Sequence, residues 1–146
     1  MSEIRIRSRR SLPRVAPPEG PWAHLLDATG PELTEAVHAW FEAGGVPIRD
    51  RRAGQTPIRI VEGGPQHGFS PAMLRLAEPD RFTVLVVSPF PGAEQAARHL
   101  VRPHPDLESA ARRLGVRLTR VWDLVLGGPE FARDLVAPGE GGFLAR

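Results

Sequence analysis

The chain has 146 residues, 41% apolar and 25% charged, with a formal net charge of +2, which suits one folded domain with one core and excludes a disordered polyelectrolyte. Cysteine is absent, excluding a disulfide framework, thiolate metal sites and cysteine nucleophiles. No apolar run approaches the ~20 residues that span a bilayer, and the first residues hold no apolar leader, so the expected location is cytoplasmic, away from membranes.

Residues 3–9 alternate strictly, Ile4 and Ile6 against Arg5, Arg7 and Arg9, which predicts a half-buried strand with a cationic outer face. Pro13, Pro17, Pro18, Gly20 and Pro21 then form an extended linker within 1–21. Residues 22–27 read as a short apolar helical turn. Thr29-Gly-Pro31-Glu32 opens a helix with a capping residue, a proline and an acid in its first turn. That helix runs to Ala43 and stops at Gly44-Gly45. Its core stripe is Leu33, Ala36, Val37, Trp40 and Phe41.

Residues 46–51 and 56–62 flank Ala53-Gly54-Gln55 and read as a hairpin. Residues 63–68 are a glycine-rich loop, and Ser70-Pro71 opens a second helix that ends before Pro79. Residues 82–87 are apolar and β-branched, as a buried central strand requires. A turn at 88–92 leads to a helix from Ala93 to about Val101, broken by Pro103-His104-Pro105. A further helix runs from Asp106 to Leu114 and ends at Gly115. Residues 116–126 fit a strand or a helix. Gly127-Gly128-Pro129 ends that element, residues 130–136 form a last helix, and residues 138–146 read as a loose glycine-rich tail. The whole, 1–146, reads as a single domain of α+β or α/β class with a mixed sheet of four to five strands.

All 19 basic residues are arginine, and Asn and Tyr are also absent. Their joint absence suggests a GC-rich genome. The sequence pI of about 10.7 overstates a small net charge, because nothing titrates between His and Arg. Placement says more than pI. Residues 1–14 hold five Arg against one Glu, 49–59 four Arg against one Asp, and 98–120 six Arg against two acids, while 15–48 hold five acids and no Arg. These basic segments either merge into one cationic face or pair with the acidic ones.

Residues 107–127 resemble a DNA-binding helix-turn-helix, with Ala111, Gly115, Val121 and Leu124 at the motif's offsets and Leu114 and Val116 also fitting. The resemblance implies that Arg117, Thr119, Arg120 and Asp123 face the major groove, with Arg112 and Arg113 at phosphates. The same residues also suit a helix-to-strand junction in which Gly115 is a C-cap. His104-Pro105-Asp106 is similar to the loop tripeptide of J-domain co-chaperones, and Phe82-Thr-Val-Leu85 and Trp122-Asp-Leu-Val-Leu126 loosely echo its flanking helices. Pro103, however, interrupts the helix that should lead into such a loop.

Candidates for acid–base chemistry are His67, Ser70, His104, Asp106 and Asp123, since an imidazole near a carboxylate moves protons near neutrality. None has metal-ligand spacing, and no cofactor motif is present, Gly63-Gly64 and Gly127-Gly128 included. The favoured function is a non-catalytic binding or adaptor protein. Its partner is an anionic macromolecule, nucleic acid or acidic protein, held by Arg5, Arg7, Arg9, Arg51, Arg52, Arg59, Arg117 and Arg120. Arginine suits that role through its planar, bidentate fork. The alternative is a small enzyme with a pocket around His67 or His104.

Overall fold

The helix opened by Thr29 forms as its composition predicts. α1 spans Gly30–Ala43 and buries Leu33, Val37, Trp40 and Phe41, one stripe at helical spacing. Ahead of it, a 3-10 turn at Ala23–Leu26 buries Leu25. The computed structural model describes residues 16–48, 58–63, 83–88, 102–137, 139 and 141–145. The strand expected at 3–9, residues 49–57 of the hairpin, the loop at 64–68, the helix from Ser70 and the segment 89–101 lie outside the described residues.

The expected cap of α1 is replaced by a tertiary one. Thr29 makes no side-chain cap bond. Instead the Gly30 N–H donates to Glu62 Oε1 at 3.0 Å. A carboxylate is favoured there by the positive end of the helix dipole.

Four strands follow: β1 (Ile58–Glu62), β2 (Val84–Ser88), β3 (Arg117–Arg120) and β4 (Gly142–Phe143). They lie in the order β1-β2-β3-β4, and all three pairings are parallel. The class is α/β. Among the described residues the sheet is parallel rather than mixed: 46–48 contains no strand, and β1 pairs parallel with β2. The reason lies in β2, buried at all five positions. An apolar strand of this kind needs cover on both faces, which parallel strands with crossover helices provide.

The cover comes from two sides. Val84 and Val86 pack with α1, while Leu85 and Val87 pack with Leu107 and Ala111. Those two residues belong to α2 (Pro105–Leu114), which ends at Gly115 in the left-handed region, φ 74°.

Residues 116–126 turn out to be a strand and a helix in succession. β3 passes without a loop into α3 (Val121–Gly127). Val121, Leu124 and Val125 bury one helical stripe on the α1 side, and the Trp40 indole N–H donates to the Leu124 carbonyl at 3.0 Å. A 3-10 turn at Pro129–Phe131 and α4 (Ala132–Val136) complete that layer. The helix-turn-helix reading is therefore corrected. Where a recognition helix belongs, residues 117–120 are paired to β2 and β4. The J-domain likeness fails on the same ground, since Val84 and Leu85 begin a strand.

The described part of the tail is paired to β3 at Gly142 and Phe143. The Gly142 N–H donates to the Val116 carbonyl at 2.9 Å and the Leu144 N–H to the Leu118 carbonyl at 2.7 Å. Gly141 is wedged against the α2–β3 turn. A Cβ there would collide with the Ala111 carbonyl and lie 2.6 Å from that of Val116. Among the described residues, no helix is long and apolar enough to cross a membrane.

Candidate functional site

In β3, side chains alternate across the sheet. Leu118 and Arg120 share the α2 side, while Arg117 and Thr119 share the side of α3 and α4. The C-terminal segment lies alongside, at the sheet edge, within reach of arginines from both faces.

Phe143 is the centre of the first group. The Arg102 Cζ lies 4.9 Å and the Arg120 Cζ 5.0 Å from the centroid of its ring. Two guanidiniums on one ring lie within about 10 Å of each other, inside the range of cation–π attraction to that ring. Each has an acid. Arg102 Nη2 is 3.4 Å from Glu108 Oε1, at a surface where the Arg102 side chain is 70% exposed. Arg120 binds Asp123 through both forks, Nε–Oδ2 2.7 Å and Nη2–Oδ1 3.0 Å, with side chains only 12% and 1% exposed. This buried pair ties the last residue of β3 to the first turn of α3.

The second group sits at the other end of β3. Arg117 donates from Nη1 to the Asp134 carbonyl, and its Nη2 occupies the space a side chain at Gly139 would need. From the opposite face, the Arg112 Nε and Nη2 lie 3.5 and 3.7 Å from where a Cβ on Gly142 would stand. Arg112 is exposed. Among the described residues, neither Arg112 nor Arg117 forms an ion pair with a carboxylate. Gly139, Gly142 and Phe143 thus lie against four guanidiniums, Arg117 and Arg112 at the two glycines and Arg102 and Arg120 at the ring.

The other predicted site residues fall elsewhere or take structural roles. His104 Nδ1 accepts the Asp106 N–H at 3.0 Å, and its carbonyl accepts the N–H groups of Leu107 and Glu108. The pair caps α2, with 3.7 Å between Nδ1 and Asp106 Oδ2 on an exposed surface. With proline at the first position of α2, its N-terminal donors are already used. Asp123 is locked to Arg120 and does not join His104 in a proton-transferring pair. Thr119, expected in a DNA groove, is fully buried.

Arg59 sits half-buried on β1, two strands from the track. His67, Ser70, Arg5, Arg7, Arg9, Arg51 and Arg52 lie outside the described residues. The Gly63 N–H donates to the Ser88 carbonyl at 2.7 Å, extending the β1–β2 ladder, and the Gly128 N–H to that of Leu124 at 3.0 Å, closing the end of α3. Among the described residues, no group of three His, Cys, Asp or Glu side chains is placed to hold a metal.

Sequence reading missed Phe143 and Glu62. The signal for Phe143 is a lone aromatic after Gly141-Gly142 in an otherwise apolar-poor tail. Glu62 is an acid at the end of a strand, before two glycines; its Oε2 is buried with no hydrogen-bond partner among the described residues. A shallow cleft of about 550 Å³ between Gly44, Gly45, Pro129, Glu130 and Arg133 lies apart from the arginines of β3. Comparison with known protein families, characterised proteins and solved structures finds no match.

Proposed function

We propose that this protein is a binding module for an extended anionic partner, which it holds along the track of Arg102, Arg112, Arg117 and Arg120. What carries the reading is the gathering of four guanidiniums, from the segment before α2, from α2 and from β3, beside Gly139, Gly142 and Phe143. Like charges brought this close repel unless countercharge is supplied. Among the described residues two of the four have a carboxylate beside them; Arg112 and Arg117 have none, and the exposed Arg112 is the one best placed for an anion from outside, since Arg117 donates to the Asp134 carbonyl. Guanidinium forks bind phosphate and carboxylate bidentately, so both chemistries suit the track.

The test is fluorescence anisotropy with a labelled single-stranded oligonucleotide and, as a separate arm, a labelled poly-glutamate peptide. Binding of the oligonucleotide by three or four arginines should weaken with salt at a log–log slope of about −2 to −3. The Arg112→Ala variant should lose about one contact, reducing that slope by about 0.7. Preference for one probe identifies the partner's chemistry. Binding indifferent to salt and to Arg112, or no binding of either probe at low salt by the protein or by its Phe143→Ala variant, refutes the reading.

A further inference from the structure

We infer that the C-terminal strand is a built-in cover on the inner half of the arginine track, Arg117 and Arg120, which an anionic ligand must lift to engage all four guanidiniums; this rests on the binding reading above. The segment lies where a ligand would lie. Phe143 occupies the ring-facing surfaces of both Arg102 and Arg120, and Gly139 and Gly142 lie against Arg117 and Arg112.

The cover is also weakly fastened. β4 pairs two residues with β3, against five pairs between β1 and β2. Its register continues only through the Leu144 N–H, and one further bond, from Gly142 to Val116, holds its start. Phe143 is partly exposed: its ring packs against the edge of the α2-side core and carries the two cation–π contacts. Such contacts are individually small. Elements with few buried contacts open locally, well below the free energy of global unfolding.

The choice of glycine supports a laid-in segment. Side chains at Gly139 or Gly141 would strike Arg117 or the α2–β3 turn. Gly139, Gly141 and Gly142 therefore fit as bare backbone against the protein, with Phe143 and Leu144 packed on the two core clusters as anchors. A ligand competing for the arginines faces an apparent affinity reduced by the fraction of molecules in which the cover is shut.

The experiment compares the full-length protein with Phe143→Ala and Phe143→Leu, with two readouts. Amide hydrogen exchange without any anion should show Gly142 and Leu144 exchanging at least about 100-fold faster than the β2 amides, and faster again by about tenfold in Phe143→Ala, with β2 unchanged. Affinity for the oligonucleotide should rise about five- to thirtyfold in Phe143→Ala and less in Phe143→Leu. Exchange of Gly142 and Leu144 at the rate of β2 overturns the cover, because the strand would then leave only when the whole fold does. Binding that Phe143→Ala weakens or leaves unchanged also overturns it, while the binding reading stands. If neither the natural protein nor Phe143→Ala binds, the binding reading itself fails and the cover with it.

Discussion

The Asp123→Ala substitution tests whether the β3–α3 junction depends on a buried charge pair. The carboxylate is 1% exposed and accepts from both Nε and Nη2 of Arg120, at 2.7 and 3.0 Å. Removing it takes away the carboxylate to which both forks of a guanidinium only 12% exposed donate. Breaking a buried pair from one side costs about 3–5 kcal/mol. Arg120 keeps some water and the Phe143 ring, so a loss of about 2–4 kcal/mol is expected, a large share of a typical domain's 5–15 kcal/mol. With a urea m-value of about 2 kcal/mol/M, the midpoint should fall by about 1–2 M, read by far-UV circular dichroism. The double variant Arg120→Met/Asp123→Leu removes both charges and refills the space. It should recover most of the loss, because an apolar pair of similar volume often matches a buried ion pair. A cost below about 0.5 kcal/mol for Asp123→Ala, or a double variant less stable than the single one, would refute this account.

Trp40→Phe leaves the Leu124 carbonyl without its indole donor and opens space between α1 and α3; a loss of about 1–3 kcal/mol in chemical denaturation is expected. Gly141→Ala drives a methyl into the α2–β3 turn and should cost about 1–3 kcal/mol, seen as a lowered thermal midpoint, whereas Gly115→Asn, at a left-handed position with open space around it, should cost far less. His104→Ala removes the acceptor for the Asp106 N–H and should cost about 1 kcal/mol, while His104→Asn, which restores an acceptor, should recover most of it by the same thermal assay. Arg112→Ala should weaken anion binding and move the thermal midpoint by less than about 2 °C, since the side chain is exposed; an equal loss of stability would mean that Arg112 is structural.

Much of the fold was readable because local signals agreed with one another. Pro31, the helical stripe from Leu33 to Phe41 and the Gly44-Gly45 stop all describe α1. Val84–Val87 reads as a buried strand, and Gly115 as a C-cap, without tertiary knowledge. Parallel pairing was not readable at β1, because Ile58 and Ile60 alternate with Arg59 as an antiparallel hairpin strand would. Residues 116–126 satisfied two periodicities because two elements share them. The alternation of 117–120 and the helical stripe of Val121, Leu124 and Val125 are each right over half the segment, and the break falls where Arg120 folds across to Asp123.

The site was less readable, for a reason of geometry. The excess of arginine in 98–120 is plain, but Arg102, Arg112, Arg117 and Arg120 follow neither a helical nor a strand period, so no one-dimensional pattern groups them. They become neighbours only because α2 returns antiparallel beside β3 and the C-terminal segment comes back along the same edge. Their roles then divide by depth. Arg120, almost enclosed, joins Asp123 and holds the strand-to-helix junction. Arg117 reaches the Asp134 carbonyl, while Arg102 and Arg112 keep their guanidiniums at the surface. Composition shows only how many arginines there are. Packing divides them into those that hold the fold and those left exposed at the surface, and the glycines beside Arg117 and Arg112 let the C-terminal segment lie against both kinds at once.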